Sequence, residues 1–513
     1  MAVASGRLAA PAAFTPSSRW RGRPAQVGAI IGLWFVAYLA LKGQFDWPSS
    51  LTWKQLPAKL DNAQNWLLEQ RTADNPNPIF AVLEGFRSMC EWLVTAFIDI
   101  FEWLTWVGTI AASTLIVWRF GGWRAALIVF GAFVSFALMG LWEESIQTLG
   151  LMLAAVLISL AIGIPIGVIA GRRERFHRGI TPVLDAMQIV PAFAYLMPIV
   201  ILFSVGPGAA VICTMIYAIP PAVRITALGI RGVTKDSVEA ARAFGSTPWQ
   251  TLSKVQLPLA RRQLLLSVNQ TIMFALSLVV IAGLIGGQGL GDVVTNGLYS
   301  NAALAVLAGI AIVIMAIALD RSTSAIAERT DPTRRHLTDR GRERARRMTI
   351  VTFAAIAVIV LIAKLLGAQS LYPDQFETST TVYTATIDDT LMRWIQSVLD
   401  YIQDPTTFVF SITESVGNFL LTKFLEPLRV FLVDTPWFIL LAALSAIAYV
   451  ISGLRPAVIT LLMFAAIGVM GVWDEALDTA SQVLVATAIA VFFGILIGVW
   501  AAESPRVERL LRP

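Results

Sequence analysis

Residues 232–262 read GVTKDSVEAARAFGSTPWQTLSKVQLPLARR and form a long polar segment between two apolar runs. Local rules divide this segment into two short helices. Asp236 is expected to cap the first helix, and Glu239, three residues later, can reach back to the cap amide. Gly245 can adopt the left-handed conformation that ends a helix. The pattern therefore predicts a helix that stops sharply at Gly245.

A second helix is expected to start directly after this stop. Thr247 is a good cap, Pro248 suits the first helical turn, and Gln250 completes a capping box. Pro258 ends this helix or marks the entry into the next apolar run. We call residues 232–262 the hook, since the two helices predict a rigid, bent projection. Such a shape suits docking into a groove on a soluble partner, although an ordinary capped cytoplasmic loop has the same local signals.

The composition of the chain is that of a membrane protein. Of its 513 residues, 56% are hydrophobic and 14% are charged, and the mean hydropathy is +0.69. Soluble domains usually contain about 25% charged residues. The pI of about 9.3 does not indicate nucleic-acid binding, because the arginines cluster beside apolar runs as the positive-inside rule predicts.

Residues that could carry chemistry are few. Cys90 and Cys213 lie in apolar contexts, so neither a disulfide framework nor a zinc site is expected. His177 and His336 lie in arginine-rich segments and are expected to be solvated. We expect no catalytic cluster, no metal and no cofactor.

The glycine-rich segment 286–291 is not expected to bind phosphate. No strand precedes it and no Gly-Lys-Ser/Thr sequence follows it, so the pattern of a phosphate-binding loop is incomplete. We expect a flexible outer connection there. The chain has no Walker A motif, so any ATP would be handled by another subunit.

The spacing within the hook resembles the signature loop of permease subunits of binding-protein-dependent ABC importers. The residues that match this pattern are Glu239, Ala240, Ala241, Gly245, Val255, Leu257 and Pro258. Val255 stands where the family pattern has Ile. The resemblance implies an all-α polytopic membrane protein with a type I ABC importer transmembrane domain. It also implies that the hook couples to a separate ATPase subunit and that a periplasmic binding protein delivers the solute.

About twelve spans are expected, with the N-terminus in the cytoplasm of a bacterium and the chain in its inner membrane. With this orientation, the arginine-rich turns lie on the cytoplasmic side, beside anionic lipid. The expected spans are 27–41, 104–118, 125–141, 145–170, 183–205, 209–228, 264–285, 303–319, 350–366, 437–451, 457–472 and 479–502.

The expected domain order repeats itself. It comprises a cytoplasmic tail (1–26), an anchor with an outer amphipathic segment (27–103), a first permease domain that contains the hook (104–319), a basic cytoplasmic linker (320–349), a second anchor with an amphipathic segment (350–435) and a partial second permease domain (436–513).

A gapless internal repeat supports this order. Trp142 and Trp473 are 331 residues apart, and the same offset relates Gly163 to Gly494 and Pro182 to Pro513. Both copies have the same orientation, so the pattern indicates a tandem duplication. Nothing corresponds to residues 183–319 or to a second hook. We expect a fragment of a longer fused permease, with a decayed second copy as the alternative, and a second copy of the chain or a second permease half as a partner.

The branch of importer is indicated by residues 184–198, 255–260 and 268–271, which resemble permeases for osmoprotectants such as glycine betaine, proline or choline. The resemblance implies a small betaine-like solute; permeases for sulfonates or nitrate are the alternative. Candidate pathway residues are Met187, Gln188, Phe193, Tyr195, Asn269 and Gln270. Polar groups within spans are costly unless they face a cavity or a partner, and hydrogen bonding between helices is the competing explanation for each.

Other classes of protein fit less well. An ion-coupled secondary transporter needs acidic or histidine residues deep in its spans, and Asp185 is the main candidate. A passive channel or a scaffold has no need of the hook. A polytopic enzyme is disfavoured because no cluster of acid, base and nucleophile is present.

Overall fold

The computed structural model describes residues 23–72, 77–330, 339–368 and 383–511. Most of the expected cytoplasmic tail, His336 and Pro513 lie outside these ranges. Within the described residues every regular element is a helix, which confirms the all-α prediction.

We number the helices in chain order. The first twelve are α1 (Arg23–Leu41), α2 (Leu56–Thr72), α3 (Pro78–Phe120), α4 (Trp123–Leu138), α5 (Trp142–Arg172), α6 (Glu174–Ile189), α7 (Ala192–Phe203), α8 (Pro207–Arg231), α9 (Lys235–Ala243), α10 (Pro248–Thr251), α11 (Leu257–Leu259) and α12 (Arg261–Ser277). The others are α13 (Val279–Gly283), α14 (Leu290–Ser300), α15 (Ala302–Thr330), α16 (Asp339–Leu365), α17 (Tyr383–Gln403), α18 (Phe408–Leu420), α19 (Glu426–Val433), α20 (Trp437–Ser452), α21 (Leu454–Met470), α22 (Trp473–Glu503) and α23 (Pro505–Leu511).

Seven of the helices in the described part of the chain are long and apolar enough to cross a membrane, or nine if two bent helix pairs each count as one span. Twelve spans were expected. The difference arises largely because α4 and α21 are apolar but have only 16 and 17 residues, whereas about 20 residues are needed to cross a bilayer. In addition, the apolar run at 264–285 is divided between α12 and α13.

Contacts divide the described part of the chain into two compact units, which we treat separately and whose bounds refer to described residues only. The larger unit comprises residues 64–402 and contains the hook. The smaller unit comprises residues 1–63 and 403–513.

The centre of the larger unit is α8, which is buried along most of its length and packs chiefly on α5 and α12. Small residues let the backbones of α5 and α8 approach closely. A Cβ atom added to Gly163 would lie 2.5 Å from the Cβ of Ala222, and one added to Gly167 would lie 2.6 Å from the Cβ of Thr226. This is the close packing that small residues permit between membrane helices.

The apolar run that was expected to form one span at 183–205 is broken within the larger unit. The chain forms α6 and α7 instead, and the two helices meet at 98°. The break falls at Val190 and Pro191, where Val190 has extended backbone angles. A residue before proline is driven out of the helical conformation, which explains why the apolar run bends here.

The glycine-rich segment 286–291, for which a flexible connection was expected, packs closely against α5. Gly289 has a φ of +113°, and a Cβ atom there would lie 2.4 Å from the Oγ1 of Thr148. The N–H of Leu290, a residue with no exposed surface, donates to that same hydroxyl oxygen at 2.8 Å. The glycine-rich turn is therefore a packed lock between α5 and α14.

The smaller unit is held together by an aromatic cluster. Trp34 on α1 and Trp473 on α22 lie in one buried core with Leu440 of α20. The ring of Trp47 lies 5.1 Å from that of Trp437 and 5.0 Å from that of Trp473. Such aromatic pairs stabilise the fold by more than the burial of their surface area alone would give.

The backbone follows the sequence repeat. Helix α22 begins and ends 331 residues after α5. The preceding residues have nearly equal angles, with φ −112° and ψ 31° at Leu141 and φ −117° and ψ 35° at Val472. The residues that end the two helices also agree, with φ −124° at both Arg173 and Ser504.

A corner recurs at the same offset. Helix α3 changes direction at Thr105, which has a φ of 65° and a ψ of 164°. At the equivalent place Pro436 lies between α19 and α20, where residues 408–433 and 437–452 form two segments at 107°. A tryptophan, Trp106 or Trp437, follows each corner.

Candidate functional site

The first helix of the hook starts earlier than expected. Helix α9 begins at Lys235, with Thr234 rather than Asp236 at the cap position. The hydroxyl of Thr234 lies 2.8 Å from that of Ser237. Asp236 falls in the first helical turn, where a carboxylate is favoured by the helix dipole.

The corner of the hook follows the predicted chemistry. Gly245 has a φ of +77°, which confirms its left-handed conformation. The N–H of Ser246 donates to the carbonyl oxygen of Ala241 at 3.1 Å, which closes the end of α9. Thr247 and Gln250 then form the predicted capping box, with bonds of 3.3 and 2.9 Å. One arm of the hook is thus closed by a backbone hydrogen bond, and the other is capped by hydrogen bonds between side chains and the backbone.

After α10 the chain widens into one π-helical turn, Leu252–Gln256. The N–H of Leu257 closes this turn on the carbonyl oxygen of Leu252, and Pro258 follows. Proline lacks an N–H and its ring clashes with the preceding turn, so a wider turn accommodates it within a continuous helix. Val255 and Leu257 are half-buried, whereas Pro258 is exposed.

The hook is anchored to the helical bundle by a small apolar cluster. Leu252 and Ala260 of the hook are buried together with Ile230 at the end of α8. In addition, the guanidinium of Arg172, at the end of α5, donates to the carbonyl oxygen of Pro248 at 3.4 Å. A force on the hook therefore acts directly on the ends of α5 and α8.

The tip of the hook exposes both family-matched and unexpected residues. Glu239, Ala240 and Gly245 are exposed. Phe244 and Trp249, which the sequence analysis did not assign to the site, are 90% and 71% exposed. Their signal in the sequence was the presence of two large aromatic residues in an otherwise polar segment. Exposed aromatic side chains are typical anchors of protein–protein interfaces.

A cleft of about 720 Å³ lies between the hook and α5. Its lining combines apolar side chains with three arginines, so it suits an acidic or amphipathic group. The lining residues include Arg172, Arg173, Arg242, Trp249 and Leu252.

Four of the six pathway candidates lie near the bend between α6 and α7. Met187 and Gln188 are in the last turns of α6, and Phe193 and Tyr195 are in the first turns of α7. The hydroxyl of Tyr195 donates to the carbonyl oxygen of Ala186 at 3.3 Å. Phe193 is 63% exposed, whereas Tyr195 is half-buried.

Tyr217 of α8 completes this group and was missed in the sequence analysis. Its hydroxyl donates to the carbonyl oxygen of Val190 at 2.6 Å, and its ring lies edge-on to that of Tyr195 at 6.1 Å. The partner of its hydroxyl is a backbone carbonyl freed by the break at Pro191. Since that break was itself not predicted, nothing in the sequence pointed to Tyr217.

The other two pathway candidates lie on α12. The amide nitrogen of Asn269 donates to Asp320 of α15 at 3.1 Å, and its oxygen accepts from the hydroxyl of Thr323 at 2.5 Å. Asn269 is thus bonded between two helices, which is the alternative that the sequence left open. Gln270 is half-buried on the same helix.

Two ion pairs join α6 to α8. Arg224 donates to the carboxylate of Asp185, and Arg231 lies 3.0 Å from Glu174. Arg231 also donates to the carbonyl oxygen of Ala170 at 3.1 Å. His177, in the same helix as Glu174, is half-exposed.

A family model described as binding-protein-dependent transport system inner membrane component matches residues 163–336, a range that contains the bend and the whole hook. The glycine betaine/proline betaine transport system permease protein of Escherichia coli is 41% identical over 246 residues, which cover 48% of this chain and 70% of that protein. The chain belongs to this family of inner-membrane transport components. The chain is a multi-pass helical membrane protein, and its relatives are named as transport permeases rather than as enzymes.

Two further relatives are named for other solutes. The glycine betaine/carnitine transport permease protein of Listeria monocytogenes is 42% identical over 262 residues, covering 47% of this chain and 89% of that protein. The trimethylamine N-oxide transport system permease protein of Ruegeria pomeroyi is 33% identical over 408 residues, or 79% of this chain. The chain spans 59% of the length of the Ruegeria protein.

Proposed function

We propose that this chain is the permease subunit of an ATP-driven importer that takes up a small betaine-like solute from a periplasmic binding protein. The observation that carries the proposal is the hook. It presents Phe244 and Trp249 on a corner fixed by Gly245, and it is anchored to α8 through Leu252.

The hook is well built to transmit force. Its two arms are closed by hydrogen bonds to backbone groups at the corner, so it can move as one body. ATP binding would close two ATPase subunits around the hooks that they hold, and the rotation would pass through Ile230 to α8. Rigid movement of packed helices would then expose the pathway to each side in turn, with ATP binding biasing that equilibrium.

The residues assigned to the ATPase contact are those of the family pattern together with the two exposed aromatic side chains. An aromatic anchor in a groove, surrounded by polar contacts, is the usual form of a strong interface. The assigned residues are Glu239, Ala240, Ala241, Phe244, Gly245, Trp249, Val255, Leu257 and Pro258.

The bend between α6 and α7 is the proposed solute pathway. Phe193 and Tyr195 offer aromatic faces, and Met187 and Gln188 lie beside them in sequence across the break. Trimethylammonium groups bind to aromatic faces through cation–π attraction. Gln270 remains in the proposed pathway, whereas the bonds of Asn269 to α15 account for its burial by helix packing.

The solute class rests on the relatives, whose names give glycine betaine, proline betaine, carnitine and trimethylamine N-oxide. These compounds are small and share a nitrogen that carries methyl groups. An ion-coupled transporter fits less well, since Asp185, its main candidate, is paired with Arg224. We propose that the hook lies on the cytoplasmic side, because it must meet the ATPase, and that the N-terminus lies on the same side, as the arginine-rich turns predict.

Co-purification with the ATPase encoded beside the gene tests this proposal. Glu239→Lys reverses the charge of an exposed hook residue, and Glu414→Lys makes the same change at an exposed site on α18. We expect the unmutated chain and Glu414→Lys to retain the ATPase, and Glu239→Lys to lose it. The proposal fails if the unmutated chain binds no ATPase, or if Glu239→Lys binds it equally well.

A further inference from the structure

The cleft of about 720 Å³ between the hook and α5, which we call the hook cleft, is lined by side chains of two chemical kinds. Along α5 its lining passes from the apolar Ile164 and Val168 to the basic Arg172 and, directly after the helix, Arg173. Arg242 of α9 supplies a third guanidinium from the hook. Ligand pockets usually have volumes of about 300–1,000 Å³, so the hook cleft has the size of a binding site.

The positive charge of the hook cleft is not balanced by acidic side chains. In the part of the chain that the structure describes, no carboxylate lines the cleft and none of the three arginines forms an ion pair. Glu174, which follows Arg173 in the sequence, lies 3.0 Å from Arg231 instead. Guanidinium groups bind phosphate through charge-assisted, often bidentate hydrogen bonds. The three arginines are therefore suited to an anion that the protein itself does not supply.

The extent of the cleft along α5 favours a lipid over a water-soluble anion. Ile164 and Arg172 are eight residues apart, which corresponds to about 12 Å along a helix. Each leaflet contributes about 15 Å to the hydrocarbon core of a bilayer. Helix α5 is long and apolar enough to cross a membrane, so Ile164 lies at the depth of the acyl chains when Arg172 lies at the headgroups. A soluble phosphate would use only the guanidinium groups, whereas a lipid would use both parts of the lining.

The basic part of the lining is specific to the first repeat. Arg172 and Arg173 correspond to Glu503 and Ser504, 331 positions later, although α22 is as apolar as α5. The backbone angles nearly agree, with φ −124° and ψ 105° at Arg173 and φ −124° and ψ 111° at Ser504. The end of the helix therefore does not require arginine at these positions.

We propose that the hook cleft binds one anionic phospholipid of the bilayer, whose phosphate is held by Arg172, Arg173 and Arg242 and whose acyl chain lies along Ile164 and Val168. Basic pockets beside membrane helices attract anionic headgroups, with each arginine near the surface adding to the affinity. The bound lipid would contact both α5 and the hook, and would thus favour one position of the hook. This inference goes beyond the proposed function, since it requires only that this end of α5 lies at a membrane surface.

Photolabelling of the full-length chain tests the inference. The chain is placed in phosphatidylcholine nanodiscs that contain increasing amounts of phosphatidylglycerol with a photoreactive diazirine in its acyl chain, and the labelled peptides are identified by mass spectrometry. We expect saturable labelling of residues 164–173 and 242–257, which an excess of unlabelled phosphatidylglycerol removes. A phosphatidylcholine analogue with the same diazirine should label these peptides weakly and without saturation. Equal labelling by the two analogues would overturn the inference.

Two matched variants separate the cleft from the general charge of the surface. Arg173→Ser/Arg242→Gln removes two charges from the cleft, and its serine is the residue that the second repeat has. Arg175→Ser/Arg262→Gln removes two charges from exposed side chains that do not line the cleft. The first variant should need about tenfold more phosphatidylglycerol for half-maximal labelling, and the second should need the same amount as the unmutated chain. Equal losses in the two variants would contradict a defined site. Thermal unfolding checks that both variants fold, and the competition experiment needs no variant.

Two other occupants of the cleft are outcomes of the same experiment. Removal of the label by excess glycerol 3-phosphate would show that the site takes soluble phosphate, and removal by bound ATPase would show that the cleft belongs to the ATPase interface. Either result would overturn the lipid inference. Labelling that persists in the ATPase complex would support it. Saturable labelling of a chain that retains no ATPase would contradict the importer proposal and leave the lipid site intact.

Discussion

The guanidinium of Arg224 on α8 donates to the carboxylate of Asp185 on α6. This ion pair connects α6, which leads into the bend of the proposed pathway, with α8, the central helix of the larger unit. The two side chains are 39% and 45% exposed, so the pair is partly screened. Its contribution to stability is expected to be modest, at about 0.2–1 kcal/mol.

Asp185→Asn tests whether this carboxylate carries an ion or holds a helix. We expect solute uptake to remain dependent on ATP and to be indifferent to a proton ionophore. We also expect a double-mutant cycle with Arg224→Gln to give a coupling energy of about 0.2–1 kcal/mol in thermal unfolding. Abolition of all accumulation by Asp185→Asn, with ATP hydrolysis unaffected, would instead favour an ion-coupled carrier.

Gly245→Val should uncouple ATP hydrolysis from uptake. The φ of +77° costs an L-residue about 1–2 kcal/mol, and β-branched side chains tolerate it least. A Cβ atom at this position meets nothing within 4 Å, so the backbone alone is strained. Asn tolerates the left-handed region, and Gly245→Asn should therefore retain most of the coupling. Equal solute uptake per ATP in the valine variant and the unmutated chain would remove the corner from the mechanism.

Thr148→Val should destabilise the larger unit by about 1–3 kcal/mol, because it leaves the buried N–H of Leu290 without its acceptor. The repeat supplies a matched control. Thr479, which is 331 residues later, is exposed, and its hydroxyl donates to the carbonyl oxygen of Glu475 within its own helix. Thermal unfolding of Thr479→Val should therefore differ little from that of the unmutated chain. Similar losses in both variants would mean that the lock between α5 and α14 has no special role.

Arg71→Ala should loosen α7. The guanidinium of Arg71, in the last turn of α2, donates to the carbonyl oxygens of Val200 and Ile201 at 3.0 and 2.6 Å. Hydrogen bonds to charged groups contribute about 1.5–3 kcal/mol, and a cation at a helix C-terminus is favoured by the dipole. We expect faster amide exchange in α7. Lys54→Ala, at an exposed position before α2, should leave that exchange unchanged.

The sequence predicted those parts of the hook that depend on local chemistry. The conformation of Gly245 and the capping box of Thr247 and Gln250 follow from neighbouring residues alone. The start of α9 was misplaced because Thr234 and Asp236 are both good caps. The choice between them depends on how the chain leaves α8 at Gly232.

The features that were not predicted depend on tertiary packing. The presence of proline in the sequence did not indicate whether a helix would break. The chain breaks at Pro191, whereas α8 continues through Pro220 and Pro221. The glycines at 286–291 suggested mobility, but the absence of a side chain at Gly289 lets its backbone lie close to Thr148. The partners of Asn269, which are 51 and 54 residues away in sequence, could not be inferred from local pattern.

The corners at Thr105 and Pro436 occupy equivalent positions in the repeat but differ in the strain energy of their backbone. Thr105 is held at a φ of 65°, a conformation that costs a threonine about 1–3 kcal/mol, whereas Pro436 has a φ of −50°, which suits proline. The first corner therefore stores elastic energy that straightening would release, while the second acts as a passive elbow. Two copies of one architecture can thus respond unequally to the same mechanical load.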